Sequence, residues 1–278
     1  MTRTARRTGR SMQVAALGVT SLLALSACSS SDRSSSAKSD SSTSASSSSA
    51  SDKLSGTVTV FAAASLKESF TALGKEFEKE HPGTKVTFSF GGSDSLAASI
   101  TGGAPADVFA SASPKTMKIV TDAGDASGTP ATFVRNQLEI ATLPGNPDKV
   151  STLEDLTKSG LKVVLCDKTV PCGAAAQKAL DAAELKLTPV SYEQDVKAAL
   201  TKVELKEADA AVVYKTDVHA AGDKVEGVEF PESAQAVNDY PIVQLEDAKN
   251  TGAATAFIAL VQSAEGQKVL TEAGFLQP

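Results

Sequence analysis

The chain has 278 residues and a formal net charge of -6 at neutral pH, with 41% hydrophobic and 22% charged residues. It is long enough to bury a substantial core. The acidic balance argues against nucleic acid and against an anionic membrane surface as the partner, because both repel a negatively charged protein.

Residues 1–27 have the pattern of an export signal. Four arginines precede the apolar run 14–25, which is shorter than the roughly 20 apolar residues of a membrane span. The run ends in Leu25-Ser26-Ala27-Cys28, which resembles a bacterial lipoprotein cleavage box. Cleavage there would expose Cys28 for a lipid anchor and change the formal charge from -6 to -10. The alternative is an ordinary secretory signal with an incidental cysteine.

Residues 28–55 are predicted to be a disordered tether. The stretch 29–51 is mostly serine and contains no aromatic or branched aliphatic side chain. Folding it would bury nothing that offsets the lost chain entropy. We therefore expect it to hold a folded body away from the membrane.

From Gly56 on, strand and helix patterns alternate. The apolar run 57–61 predicts a buried strand, and Leu66, Phe70, Leu73 and Phe77 then recur at helical spacing. Further strands are predicted at 85–90, 107–110, 137–143, 161–165, 210–214, 228–230 and 242–245. Further helices are predicted at 95–100, 114–122, 153–159, 173–183, 196–203, 253–262 and 264–273. This alternation predicts an α/β protein whose ligand sites lie at the carboxyl ends of parallel strands.

Two predicted turns from strand to helix combine small residues with a hydroxyl. Ser65 and Glu68 form a capping-box pattern, which predicts Ser65 as the N-cap of the first helix. The alanines at 62–64 are not needed for a cap, but they would let a ligand approach the free N–H groups of the helix. Gly92 and Ser93 repeat the pattern after the next strand. Both serines should face one crevice.

Besides Cys28, the chain contains only Cys166 and Cys172. Two nearby cysteines of an exported protein often pair, and Pro171 between them can turn the chain back, so we predict a disulfide. No metal site is expected from His81 and His219, which are far apart in sequence and far from the cysteines.

Six blocks of the sequence resemble the periplasmic molybdate-binding proteins of ABC transporters. They are Thr-Val-Phe-Ala-Ala-Ala-Ser-Leu at 59–66, Phe-Gly-Gly-Ser-Asp-Ser-Leu at 90–96, Gly-Ala-Pro-Ala-Asp-Val-Phe-Ala-Ser-Ala at 103–112, Val-Pro-Cys-Gly at 170–173, Asp-Val-Lys-Ala-Ala-Leu at 195–200 and Val-Val-Tyr at 212–214. The resemblance covers essentially all of residues 56–278, and the blocks stand in the order of the family.

This resemblance implies a two-lobed periplasmic-binding-protein fold of type II. Each lobe would be a mostly parallel sheet flanked by helices, with two crossover strands as the hinge, near 134–136 and 230–232. Lobe I would comprise residues 56–135 and 231–278, and lobe II residues 136–230. Hinge closure would then bring the two lobes together around the ligand.

In that family two serines, main-chain N–H groups at helix starts and a tyrosine hydroxyl hold an oxyanion. The resemblance implies Ser65 and Ser93 from one lobe, and the backbone of Cys172 and Val196 with the phenol of Tyr214 from the other. Cys172 stands where the family often has alanine, which is harmless if only its N–H is used.

Three residues close in sequence to the predicted ligand donors are expected to have structural roles and not to bind the ligand. Asp94 follows Ser93 where many relatives carry a hydroxyl, so its carboxylate must point away from a dianion and should serve the helix start. Asp195 is expected to cap the helix that begins at Val196. Gly173 is expected to leave room for backbone approach.

The expected ligand is molybdate or tungstate, with no cofactor. Neutral donors suffice for a dianion shielded from water, because hydrogen bonds to a charged acceptor contribute roughly 1.5–3 kcal/mol each. A donor-only site also disfavours protonated phosphate, whose O–H would lack an acceptor. Sulfate would have to be excluded by cavity size. The expected partner is a membrane ABC permease, and the protein is expected to be a lipid-anchored monomer.

Two other functions remain open from the residues. One is a sulfate-type oxyanion receptor. The other is a thiol hydrolase in which Cys172 at a helix start is the nucleophile. The enzyme has the weaker case, because His219 is the only histidine beyond His81 that could serve as base and no orienting partner is evident. We therefore expect a binding protein and not an enzyme.

Overall fold

The computed structural model describes residues 53–278. The predicted signal at 1–27, the lipidation site Cys28 and the tether up to residue 52 lie outside the described residues. Within residues 53–278, every helix is too short or too polar to cross a bilayer.

Strands and helices alternate along the described chain. The elements are β1 (Gly56–Ala63), α1 (Lys67–Glu80), β2 (Thr84–Gly91), α2 (Ser93–Thr101), β3 (Val108–Ala110), α3 (Pro114–Ala123), β4 (Ala126–Asn136), β5 (Leu138–Thr142), β6 (Val163–Cys166), α4 (Pro171–Ala182), β7 (Ser191–Glu193), α5 (Val196–Glu204), β8 (Ala210–Tyr214), α6 (Lys215–Ala221), β9 (Glu226–Val228), β10 (Asn238–Leu245), α7 (Thr251–Gln262) and α8 (Ala264–Glu272).

The strands form two five-stranded sheets, which define two lobes. The sheet of lobe I has the order β2-β1-β3-β10-β4, and that of lobe II has the order β7-β6-β8-β5-β9. The predicted α/β class and two-lobed architecture are confirmed. Both sheets are mixed, however, because β10 and β5 each run antiparallel to both of their neighbours. In each sheet the other four strands share one direction, so the expectation of mostly parallel sheets is confirmed, with one reversed strand in each lobe.

Each lobe has its own apolar core. In lobe I the helical stripe of α1 packs against α7, with the ring of Phe257 lying 5.9 Å from that of Phe70 and 5.6 Å from that of Phe77. In lobe II alanines such as Ala175 and Ala179 let α4 pack closely on the sheet. These cores hold the strand ends and helix starts of each lobe in fixed positions.

The chain passes between the lobes twice, and the two passages meet. The first passage is the single residue Gln137, between β4 and β5. The second contains a short 3-10 helix, Pro231–Ala236, where an extended crossover was expected near 230–232. Pro231 at the first position of this helix favours the turn, because its ring fixes φ. Asn136 and Asn238 stand directly opposite each other in the β4–β10 ladder.

Several elements differ from their predicted form. The strand β4 was predicted only as a crossover, because Gly128 and Pro130 interrupt its strand pattern. Neither β7 nor α6 was predicted, since both are short. The predicted helix at 153–159 is only a 3-10 turn, Glu154–Thr157, and the last strand of lobe II lies two residues earlier than expected.

Candidate functional site

One cavity lies where the two lobes face each other. It is lined by residues at the ends of β1, β2 and β8 and at the starts of α2, α4 and α5. The volume open to the centre of a water-sized sphere is about 20 Å³. A single water needs roughly 10–15 Å³ on this measure. The space therefore suits a small ion and not a drug-sized molecule.

The five residues predicted to hold an oxyanion all line this cavity. They are Ser65, Ser93, Cys172, Val196 and Tyr214. The first two belong to lobe I and the other three to lobe II, so the structure gathers them around one gap. Their contact with an anion stays a prediction.

Ser65 does not cap the first helix. It lies in a 3-10 turn, Ala64–Leu66, that runs directly into α1, so Leu66 occupies the N-cap position and no side chain caps the helix. The Ser65 hydroxyl instead lies 2.8 Å from the phenol oxygen of Tyr240. The capping-box prediction was wrong because the extra turn places Ser65 one residue too early.

Ser93 is the first residue of α2, after Gly92 as N-cap. Its hydroxyl oxygen accepts a hydrogen bond of 3.0 Å from the backbone N–H of Ala112. A backbone N–H can only donate, so this bond does not use the serine proton. The proton of Ser93 is therefore available to a group in the cavity.

The helix starts of lobe II present backbone N–H groups. In α4, Pro171 lacks an N–H and the preceding Val170 has no capping oxygen, so no side-chain cap occupies the N–H of Cys172. In α5, Asp195 accepts from the N–H of Ala198 at 2.9 Å, which confirms it as N-cap. This cap does not use the N–H of Val196. The dipoles of α4 and α5 both favour an anion at these helix starts.

A disulfide joins Cys166 at the end of β6 to Cys172 in the first turn of α4, with the two Cα atoms 5.8 Å apart. The sulfur of Cys172 is thereby bonded and is not a free thiol. Gly173 leaves room for a close backbone approach, as expected, and the approaching backbone is that of Cys166 and Asp167. A Cβ there would meet the carbonyl oxygen of Asp167 and lie 2.6 Å from that of Cys166, so the bridged loop requires the glycine.

Tyr214 ends β8, and its side chain is buried. Its phenol oxygen accepts a 2.7 Å hydrogen bond from the side-chain amide of Asn238. Burial, and next the neighbouring Tyr240, raise the pKa of Tyr214 well above its usual value. The phenol therefore keeps its proton at neutral pH and can act as a donor.

Asp94 makes no cap bond at the start of α2, although it was expected to serve that start. Asp94 does not line the cavity, and its Oδ1 is buried without a hydrogen-bond partner among the described residues. The helix dipole still favours a carboxylate in this first turn.

Sequence reasoning missed three residues that lie behind the cavity. Tyr240 and Asn136 are fully buried and hydrogen-bonded to each other, and Asn238 bonds Tyr214. These polar residues lie in or beside the strands that carry the chain between the lobes. Since buried polar groups need hydrogen-bond partners, their position could have indicated that they bond each other or the site.

Lys197 connects the two lobes beside the cavity. Its ammonium lies 2.9 Å from Glu68 of α1 and 3.1 Å from Asp217 of α6. Burial alone would lower the pKa of Lys197, but the two carboxylates outweigh it and the pKa lies above its ordinary value. Burial raises the pKa of Asp217 to about 6, against the opposing effect of Lys197.

Asp217 gives a pH-dependent contribution to stability. Its folded pKa of about 6 exceeds the ordinary 3.8, so the contribution is fully present below about pH 4 and is lost as pH rises through 6. The free energy of unfolding, relative to that of an Asp217→Asn variant, should fall by roughly 2 kcal/mol between pH 4 and pH 7.5. Urea unfolding of both proteins at the two pH values measures this difference. A difference that stays constant, or grows with pH, would contradict the assignment.

Among residues 53–278, no three or more His, Cys, Asp or Glu side chains are grouped to hold a metal ion. The cavity lining contains no Lys or Arg either, within this same part of the chain. Asp195 is the charged residue that does line the cavity among the described residues, and its Oδ1 accepts from the N–H of Ala198 as the helix cap. Beside this carboxylate, the cavity offers uncharged O–H and N–H donors.

Comparisons with known proteins agree on one class. The family model for bacterial extracellular solute-binding proteins matches residues 58–276. The chain is 43% identical over 222 residues to the molybdate-binding protein ModA of Mycobacterium tuberculosis, covering 80% of this chain and 85% of the relative.

Two further matches extend this result. A putative ABC transporter substrate-binding lipoprotein of Bacillus subtilis, YvgL, is 30% identical over 227 residues, covering 79% of this chain and 86% of the relative. The periplasmic molybdate-binding protein of Azotobacter vinelandii superposes with a TM-score of 0.69 at 21% identity, covering 80% of this chain and 99% of that one. At that identity the superposition speaks for the fold.

Proposed function

The chain belongs to the family of bacterial extracellular solute-binding proteins, among the relatives of the molybdate-binding proteins, and on that premise we propose that it captures molybdate or tungstate for import by a membrane ABC transporter. The protein binds and delivers this ligand and needs no cofactor. Hinge closure of the two lobes around the ion would present the loaded form to the permease.

The observation that carries this proposal is the composition of the cavity. Three hydroxyls and the N–H groups at two helix starts converge there from both lobes, and no cation lines it among the described residues. A tetrahedral dianion accepts hydrogen bonds on every oxygen, and each bond to a charged acceptor contributes roughly 1.5–3 kcal/mol. Neutral dipoles therefore suffice even in a protein with a net negative charge.

The same composition supports selection among oxyanions. Hydrogen phosphate carries an O–H that needs an acceptor, and leaving that proton unpaired costs about 1–3 kcal/mol. Molybdate and tungstate are fully ionised at neutral pH and have no such proton. Sulfate shares this property, so we propose that the cavity excludes it by size. A sulfate receptor is less favoured, because the relative with 43% identity is a molybdate-binding protein.

A lipid anchor at Cys28 and a monomeric state are parts of the same proposal. The sequence Leu25-Ser26-Ala27-Cys28 and the relative described as a substrate-binding lipoprotein support the anchor. The tether up to residue 55 would then let the body reach a permease from the outer face of the cytoplasmic membrane.

Calorimetric titration of the purified protein with four anions tests this function. We expect molybdate and tungstate to bind with similar affinity, and hydrogen phosphate to bind at least about tenfold more weakly because of its unpaired proton. Sulfate should bind more weakly than molybdate. Tighter binding of sulfate would favour a sulfate receptor, and binding of none of the four would refute the function.

A further inference from the structure

Two asparagines lie behind the cavity at the point where the chain crosses between lobes. Asn136 ends β4, Asn238 begins β10, and the two are paired in the antiparallel ladder. The side chain of Asn136 bonds Tyr240, which in turn bonds Ser65, while that of Asn238 bonds Tyr214 directly. Each asparagine is thus connected to one hydroxyl of the cavity.

The orientation of the Asn136 amide is fixed by its neighbours. Its Oδ1 accepts from the backbone N–H of Gln137 at 3.0 Å, and a backbone N–H can only donate. The NH₂ group must therefore face the opposite way, where it lies 2.8 Å from the hydroxyl of Thr216 and 3.3 Å from the phenol oxygen of Tyr240. Tyr240 consequently accepts from Asn136.

The orientation of the Asn238 amide is fixed by carbonyl groups. Its Nδ2 lies 3.0 Å from the carbonyl oxygen of Ala112 and 3.4 Å from that of Pro171, and these oxygens can only accept. The same nitrogen lies 2.7 Å from the phenol oxygen of Tyr214. Tyr214 therefore also accepts from an asparagine.

These two bonds restrict which way the hydroxyl protons can point. Since Tyr240 accepts from Asn136, its own proton is free to bond the Ser65 oxygen 2.8 Å away. Ser65 then accepts, and its proton is left for the cavity. Tyr214 accepts from Asn238, so its proton cannot point at that amide and is left for the cavity or for Tyr240. Ser93 likewise accepts, from the N–H of Ala112, so its own proton is left for the cavity.

We propose that Asn136, acting through Tyr240, and Asn238 are positioning residues that hold the cavity hydroxyls as hydrogen-bond donors. This inference rests on the proposed function and explains how a site made partly of hydroxyls, which can donate or accept, becomes a site of donors only. The pair would thereby set the preference for fully ionised oxyanions over protonated ones.

A double-mutant cycle tests the Asn136 branch. In Asn136→Asp the new carboxylate oxygen can accept from both Thr216 and Tyr240, so the phenol proton should turn away from Ser65. Ser65 would then donate to Tyr240 and present a lone pair to the anion. The added negative charge also weakens binding, and Tyr240→Phe separates the two effects, because it cuts the connection and leaves the charge in place.

Calorimetry with molybdate is the readout. We expect Asn136→Asp to raise the Kd at least about tenfold in the unmodified background and at most about threefold in the Tyr240→Phe background. The same factor in both backgrounds would overturn the inference, since charge alone then accounts for the loss. The proposed function is tested separately by the unmodified protein. If that protein binds molybdate, the function stands whatever the variants do, and if it does not bind, the function is refuted.

Neutron diffraction of the unmodified protein tests both branches and depends on no variant being stable. We expect deuterium on Tyr240 directed at the Ser65 oxygen, and the deuterons of Asn238 directed at the Ala112 carbonyl and the Tyr214 oxygen. A Tyr240 deuteron directed at Asn136 or at Tyr214, or a Tyr214 deuteron directed at Asn238, would overturn the inference.

Discussion

Replacing Ser65 and Ser93 together by alanine is expected to weaken molybdate binding about a hundredfold. Both serines belong to lobe I and line the same cavity, and in the proposed function each donates its hydroxyl proton to the anion. Two hydrogen bonds to a charged acceptor are lost, at about 1.5 kcal/mol each. The binding free energy then weakens by roughly 3 kcal/mol, which corresponds to a Kd about a hundredfold higher. Calorimetric titration of the double variant measures this effect.

Ser99→Ala is the matched control for the serine variants. Ser99 lies on the exposed face of α2, where its hydroxyl bonds the carbonyl of Ser95 within the same helix. Its replacement should leave the Kd unchanged. If the double variant bound molybdate as tightly as this control, the two serines would not be ligand donors.

Gly92→Ala is expected to raise the Kd for molybdate about thirtyfold by preventing full closure. A Cβ at Gly92 in lobe I would lie 2.5 Å from the backbone carbonyl oxygen of Gln194 in lobe II. Two backbones cannot relieve such a contact by rotating a side chain, so the lobes must separate. Overpacking of this kind costs about 1–3 kcal/mol, and 2 kcal/mol against the closed form corresponds to roughly thirtyfold in apparent affinity.

The Gly92 variant should lose affinity with little loss of stability. The Cβ would also lie 2.8 Å from Oδ1 of Asp94 within lobe I, but that side chain can rotate away, whereas the backbone contact with Gln194 lies between the lobes. Thermal unfolding of the ligand-free protein should therefore be little changed. Gly252→Ala provides the control, since a Cβ there meets only Leu54 at an ordinary distance of 3.7 Å. Unchanged affinity in Gly92→Ala would mean that binding does not require the lobes to approach as closely as they do here.

The alternating pattern was sufficient to predict the fold class and most elements. Apolar spacing in residues such as Phe70 and Phe77 reports a helix face that packs on a sheet, and this signal is local in sequence. The antiparallel strands β4 and β10 were harder to predict. Their pairing joins residues about a hundred positions apart, such as Asn136 and Asn238, and no local pattern encodes it.

In the candidate site, too, residues with a local sequence signal could be predicted, and residues that depend on long-range contacts could not. Ser65 and Ser93 could be named because small residues and hydroxyls recur where strands turn into helices, and Tyr214 because of the family resemblance. Tyr240 and Asn238 could not be named, because their role depends on side chains that meet only in the folded protein. The wrong assignment of Ser65 as a cap has a related cause, since one additional 3-10 turn shifts the helix start.

In the proposed function, uncharged O–H and N–H groups from both lobes are sufficient to hold a metal oxyanion. A crystal structure of the molybdate complex, with the metal located by its anomalous scattering, tests whether they do. We expect one molybdenum peak between Ser65, Ser93 and Tyr214, with the N–H groups of Cys172 and Val196 on the remaining oxygens and no ammonium or guanidinium in contact. A peak elsewhere, or an anion bonded to a lysine or arginine, would contradict the account.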